Sequence, residues 1–298
     1  MILVTGGTGS FGHAFVKRHY GRQPIRVLSR DEEKQRAMAL EYPDVDYIIG
    51  DVRDIETVRA AMDGVDCVFH AAALKQVPPL EKAPLEAVKT NIIGTDNVCR
   101  VAKRQYAKVV VLSTDKAVEP VGVMGATKML AEAVASSWHM NSVRYGNIIG
   151  SRGSIVPVWR AAIERGDPVT ITDPTMTRFL ITLDEALDLV DLAMEAEANG
   201  SVYVKRSPAS TVAQLARIIA LDACSRNCVH DGEHPTLVTG VRPGEKRHEH
   251  LVVPDEHVNE HVGYFQVVPG LPGTGHRYSS ESAPRLTDDE LAFLIETA

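Results

Sequence analysis

Thr114, Asp115 and Lys116 put a hydroxyl, a carboxyl and an amine on three consecutive residues, just after the apolar run Val109–Leu112. Together such groups can donate, accept and relay a proton, which is what general acid–base chemistry requires. Lys128 follows in the helix-like run "VGVMGATKMLAEAV". One turn before it stands Met124, whose thioether has no exchangeable proton. If this site moves protons, the Thr-Asp-Lys triplet must do so without Met124. The competing reading of Asp115 and Lys116 is a surface ion pair after a strand; neighbours in an extended chain face opposite sides, so the two need not serve one site. A lysine works as a base only where burial or nearby positive charge lowers its pKa.

A second pattern binds rather than reacts. "VTGGTGSFG" follows the apolar run at the N-terminus and opens a helical run. Gly7-x-Gly9-x-x-Gly12 fits the dinucleotide fingerprint, and Gly6-x-x-Gly9-x-x-Gly12 fits its short-chain dehydrogenase variant. Glycines let phosphates approach a helix N-terminus that Ser10 and Phe11 begin. The second strand ends in Ser29-Arg30-Asp31, with Lys34 close behind. Ser29, Arg30 and Lys34 suit the 2′-phosphate of NADP; if Asp31 takes the ribose instead, the cofactor is NAD. Asp51 and Val52, after the third strand, would meet the adenine edge, and Ala71 and Ala72, after the fourth, the cofactor's other half. Asp54 reads as a helix cap.

These groups need a scaffold, and the chain supplies an alternation of short β-branched runs and amphipathic runs. That rhythm predicts an α/β fold: a Rossmann-like, doubly wound parallel sheet covered by helices on both faces. After "SVRYGNIIG" it breaks into Gly-, Pro- and Arg-rich sequence. The expected division is a cofactor-binding domain over residues 1–170 and a smaller substrate-binding lobe over 171–298, with some later strands free to return to the first. Thr287 is the expected cap of the last helix. A hydrophobic content of 44% supports an ordinary core, and a net charge of −7 argues against a broad nucleic-acid or anionic-membrane surface. No secretory signal or spanning run is expected, and four scattered cysteines suit a reducing compartment, so a soluble cytoplasmic protein is the simplest expectation.

The motifs "TGGTGSFG", "SRDEEKQ", "GDVRD", "HAAALKQVPPLEKAPLEAVKTNIIGTDNV", "LSTDKAV", "RYGNIIGSRGSIVP", "ITDPTMTRFLITLDEA" and "VRPGEKRHEHLVVPDE" occur in that order. Together they resemble the UDP-N-acetylglucosamine 4,6-dehydratases of bacterial surface-sugar biosynthesis, members of the extended short-chain dehydrogenase/reductase superfamily. The resemblance covers most of residues 1–256. It implies oxidation at sugar C4, elimination of water across C5–C6, and reduction at C6, with NADP as cofactor and a homo-oligomer as the assembly. Asp115 would then protonate the leaving hydroxyl, Lys116 would act at C5, and Thr114 would hydrogen-bond the substrate near C4. Lys128 would hold the nicotinamide ribose, as in the superfamily's Tyr-x-x-x-Lys motif. Here Met124 replaces that tyrosine, which leaves three readings: catalysis is lost and the chain only binds NADP; Asp115 or Lys116 takes the C4 proton; or Met124 packs against sugar or nicotinamide in a branch with a reassigned base. A subset resembling this chain in having Met also inverts C5. A 4-epimerase or a dehydratase that forms a 5,6-alkene is the alternative within enzymes.

Arg152, Arg178 and Arg242 could grip a diphosphate through charge-assisted bonds. By the same resemblance Asn147 would contact substrate. Lys75 would assist near the nicotinamide or merely pair with Glu81. Two patterns look metal-binding: His257-x-x-Glu260-His261, and Cys224-x-x-x-Cys228-x-His230-x-x-x-His234. The first lacks an apolar helical setting and the second crowds its ligands, so no metal is expected.

Overall fold

The computed structural model describes residues 1–151, 153–227 and 234–297, the side chains of 224–227 excepted. Its centre is a nine-stranded sheet. Six strands run parallel in the order Asp46–Ile49, Ile25–Ser29, Ile2–Thr5, Cys67–His70, Lys108–Leu112, Asn141–Arg144. Val202–Lys205 adds a seventh parallel strand, and Tyr264–Val268 and His257–His261 close that edge antiparallel. Strands from beyond residue 170 thus complete the sheet begun at residue 2.

The central strands are apolar on both faces because helices cover both. Phe15, Val16, Met38, Leu187 and Val190 pack on one side, against Val4, Phe69 and Val143. Val58, Val98, Val101 and Ala135 pack on the other, against Leu3, Val68 and Val111. The strand order reverses between Ile2–Thr5 and Cys67–His70, where an open α/β sheet leaves a crevice beyond its strand ends. A separate core joins the helices Ile155–Glu164, Val212–Asn227 and Asp288–Glu296 through Trp159, Ile219 and Leu291. Thr287 begins the last of these with a capping box to Glu290, and Asp54 caps Ile55–Ala61.

Two departures from regular structure bear on the crevice. The long helical run after Pro84 contains a π-turn, Val88–Ile93, before continuing as Gly94–Gln105. Such turns redirect side chains and cluster at functional sites. In addition, residues 246–256 cross the carboxyl end of the sheet. Lys246 Nζ donates to the Val118 carbonyl at 2.7 Å, and Arg144 Nη1 reaches both the Leu251 carbonyl (2.8 Å) and Glu256 (2.9 Å). Among the described residues no helix is long and apolar enough to cross a membrane.

Candidate active site

The crevice at the switch point is a cleft of about 890 Å³. Its floor is the glycine loop. Gly6 has φ +68°, and a Cβ there would sit 2.8 Å from the Ala72 backbone; one on Gly12 would sit 2.5 Å from Gly7 Cα. Strand, loop and helix therefore pack as closely as backbone allows. The helix Ser10–His19 starts at Gly9 without a side-chain cap, and its first turn borders the cleft, where a phosphate would meet the helix N-terminus. Ser10 and Phe11 line the cleft, and Phe11 stacks on Tyr145, ring centroids 5.7 Å apart.

At the far end lie Ser29, Arg30, Asp31 and Lys34. Asp31 caps the next helix by accepting from the Lys34 amide at 3.0 Å, and it also pairs with the Lys34 ammonium. Arg30 is half exposed and reaches Asp51 at 3.5 Å. Asp51, Val52, Ala71 and Ala72 line the same cleft. Four buried polar atoms in residues of its wall (Thr90 Oγ1, Ser113 Oγ, Asn147 Oδ1 and Ser154 Oγ) have no hydrogen-bond partner among the described residues. Buried polar atoms are normally paired. The glycine cradle and these acceptors fit a dinucleotide and a polar substrate.

The Thr-Asp-Lys turn follows strand Lys108–Leu112 as a short 3₁₀ segment, which brings the three side chains together where a continuing strand would spread them. Thr114 Oγ1 donates to Asp115 Oδ1 at 2.9 Å, and Lys116 Nζ lies 3.0 Å from the same oxygen. Thr114 and Lys116 line the cleft, whereas Asp115 is fully buried behind them. Lys116 Nζ also lies 3.0 Å from Glu249 Oε1, and Lys246 Nζ lies 3.1 Å from the other oxygen of Glu249. Four charges alternate in sign. Burial, reinforced by Glu249, raises the Asp115 pKa despite the ammonium beside it. Burial opposes the Lys116 charge, but Asp115 and Glu249 outweigh it and hold the ammonium above its ordinary value. Glu249 is also buried, yet Lys116, Lys246 and Arg178 pull its carboxyl down to about 2.

Met124 and Lys128 share one face of the helix Val123–Ser137. Met124 packs with Leu80 and Ala87 at the cleft wall. Lys128 bonds the Leu112 carbonyl, and burial lowers its pKa to about 8, against the opposing pull of Glu132. Asn91, in the π-turn, was invisible as a site residue in the sequence. It donates to Thr127 Oγ1 (3.0 Å) and exchanges two bonds with the Leu74 backbone (2.8 and 3.0 Å), fixing the helix Val123–Ser137 to the cleft wall. Below it, Thr95 donates to the Asn91 carbonyl, so His70 Nε2 must donate to Thr95 and His70 Nδ1 must accept from Thr5. Burial, with Lys128 nearby, pushes the His70 pKa down to about 3, and the ring is neutral.

The remaining sequence candidates divide. Lys75 and Asn147 line the cleft. Glu81 does not wait for Lys75: its carboxylate accepts from the Val123 amide at 2.7 Å. Arg178 stands off the lining, bonded to the Thr177 and Arg247 carbonyls, and acts on Lys116 and Glu249 through charge. Arg242 is exposed outside the cleft, and Arg152 lies outside the described residues. His257–His261 forms an edge strand, not the helix an H-x-x-E-H metal site needs. The side chains of Cys224, Cys228 and His230 lie outside the described residues; His234 bonds the Asp167 carbonyl. Glu249, Lys246 and Tyr145 are site residues that sequence reasoning passed over; their only signal was membership of "RPGEKRHEH" and "RYGN".

The sheet order, glycine loop and cleft define an extended short-chain dehydrogenase/reductase. The family model described as "Polysaccharide biosynthesis protein" matches residues 2–268, and the chain belongs to that family. It is 44% identical over 287 residues to a protein of Rickettsia canadensis named UDP-glucose 4-epimerase, covering 90% of this chain and 82% of that one. The X-ray structure of Pen from Bacillus thuringiensis superposes with a TM-score of 0.93 at 32% identity, over 99% of this chain and 96% of that one. The dTDP-glucose 4,6-dehydratase of Streptomyces venezuelae, solved with NAD bound, has a TM-score of 0.74 at 19% identity, over 99% and 95% of the two chains; it shares the fold.

Proposed function

We propose that this protein is an NADP-dependent dehydratase of UDP-N-acetylglucosamine that removes water across C5–C6 and inverts C5. Bound NADP would supply the oxidant for C4 and return the reducing equivalent at C6. The protein's part is to hold both molecules and move protons. The observation that carries the reading is the Thr114–Asp115–Lys116 turn, which meets the cleft as a preassembled acid–base group while Met124 stands where the superfamily's phenol would act.

Thr114 takes the C4 hydroxyl proton as it passes its own to Asp115 Oδ1, along the 2.9 Å bond already present. A buried carboxylate with a raised pKa is suited to accept it. Protonating Asp115 removes one of the two anions that hold the Lys116 ammonium, while the burial penalty stays. Lys116, 26% exposed towards the cleft, then loses its proton to solvent and is free to accept the one on C5. Asp115 returns its proton through Thr114 to the departing 6-hydroxyl, and a solvent proton delivered to the face opposite Lys116 would complete the inverted C5. Lys75 and Asn147, which line the cleft, would grip the nucleotide sugar. Arg30, Ser29 and Lys34 favour NADP, because Asp31 is committed to capping and to Lys34.

The name carried by the Rickettsia relative favours a second reading, 4-epimerisation of a UDP-sugar. That reaction cycles only the C4 proton and leaves a C5 base without work. Incubation with UDP-N-acetylglucosamine in deuterium oxide, followed by NMR, separates them. A dehydratase yields a 4-keto-6-deoxy sugar with deuterium at C5. A sugar that keeps its 6-hydroxyl and its C5 proton would overturn the proposal in favour of epimerisation.

A further inference from the structure

Asp115 and Glu249 are two buried carboxylates that share one ammonium. Each offers an oxygen 3.0 Å from Lys116 Nζ, so the two oxygens lie within twice that distance of each other. Their surroundings differ. Glu249 has a second cation, Lys246, at 3.1 Å, and the charge of Arg178 from the strand Thr177–Ile181 acts on it as well. Among the described residues Asp115 has only Lys116 and the Thr114 hydroxyl, and its Oδ2 is buried without a hydrogen-bond partner there. Two acids placed so close and so unequally separate in proton affinity, and the less compensated one is the first to accept a proton.

We propose that Glu249 is a positioning residue of the proton-transfer site: by sharing the Lys116 ammonium it keeps the buried Asp115 basic enough to receive a proton from the cleft. This rests on the reading of Asp115 as acceptor given above. Were Lys116 paired with Asp115 alone, its full charge would stabilise the carboxylate, which would then be a poor acceptor. Glu249 divides that charge and adds its own repulsion. Lys246 keeps Glu249 from competing for the proton. Glu249 itself is off the cleft lining, so it does its work through Lys116 and not on substrate. Its backbone is anchored independently: its amide donates to Ser280 Oγ and its carbonyl accepts from the Ser280 amide, both at 2.8 Å. A charge-removing substitution therefore leaves the segment in place.

The test is a titration of the Asp115 carboxyl by ¹³C NMR in protein carrying ¹³Cγ-aspartate, assigned by its disappearance in Asp115→Asn. Substrate is not needed. In Glu249→Gln the Asp115 midpoint should fall by roughly 1–3 pH units, the effect of removing a like charge at this range. In Lys246→Met it should rise, because a compensating cation is lost. Opposite shifts cannot come from general loosening of the site. No movement in Glu249→Gln, or movement of both variants in one direction, overturns the proposal. The pH profile of C5 deuterium exchange is then measured in wild type and Glu249→Gln. A limb that moves with the titration supports the whole scheme, whereas a shifted titration with an unmoved limb overturns the assignment of Asp115 as acceptor and leaves the charge-sharing intact.

Discussion

Arg144→Met tests a buried guanidinium that makes four bonds. The Arg144 side chain is 4% exposed; it grips Glu132 with two bonds (2.6 and 3.1 Å), Glu256 with one at 2.9 Å, and the Leu251 carbonyl at 2.8 Å. Methionine fills much of the volume but leaves these acceptors unpaired. Glu256, at 20% exposure, can turn to water, while Glu132, at 8%, cannot. Most of the cost therefore comes from one stranded carboxylate and one stranded carbonyl, which places it at about 3–5 kcal/mol. For a chain of this size each kcal/mol is worth about 2–4 °C, so the melting temperature should fall by roughly 6–20 °C. Thermal denaturation followed by circular dichroism gives the number. The double variant Arg144→Met/Glu132→Met removes the stranded acid and should recover most of the loss. A single variant that melts within a degree or two of wild type would refute the reasoning, and so would a double variant no better than the single.

Three further outcomes follow from the site. Lys116→Ala should abolish deuterium incorporation at C5, and exchange at the wild-type rate would remove Lys116 as the base. Arg30→Ala should weaken NADP binding by about tenfold, the worth of one charge-assisted bond, with little effect on NAD; equal losses for both, measured by calorimetry, would contradict the assignment of the 2′-phosphate site. His70 is held neutral, its pKa depressed from 6.5 to about 3. The unfolded chain binds the extra proton first, so stability is full above pH 6.5 and is lost as pH falls towards 3. His70→Asn should flatten that slope in urea midpoints taken across the window, and an unchanged slope would mean the ring is not the group responsible.

What the sequence disclosed and what it hid follow the distance over which each feature is determined. The glycine loop was legible because Gly6, Gly9 and Gly12 serve a turn and a helix start within a dozen residues. Strand–helix alternation and the caps at Asp54 and Thr287 are equally local. The Thr-Asp-Lys turn was only half legible. Thr114, Asp115 and Lys116 are adjacent in the chain, but the charged groups that pair with Lys116 and with each other, Glu249 and Lys246, come from more than a hundred residues away and show no periodicity of their own. Nor could the sequence say that Asp115 turns inward while its neighbours face the cleft. The π-turn at Asn91 escaped because one extra residue per turn changes a hydrogen-bond register without altering the apolar pattern. Arginines were the least informative: Arg178 was expected on a diphosphate and instead bonds backbone carbonyls beside the charged cluster.

The crossing of residues 246–256 over the sheet has a consequence for biosynthesis. A ribosome that has released everything up to residue 245 has already delivered the glycine turn, the crevice and the Thr-Asp-Lys corner, yet not the glutamate that partitions their charge. Arg144 likewise waits for Leu251 and Glu256 before its guanidinium is satisfied. The charge pattern around Lys116 and the pairing of Arg144 are therefore complete only once residues 246–256 have been laid across the front of the sheet.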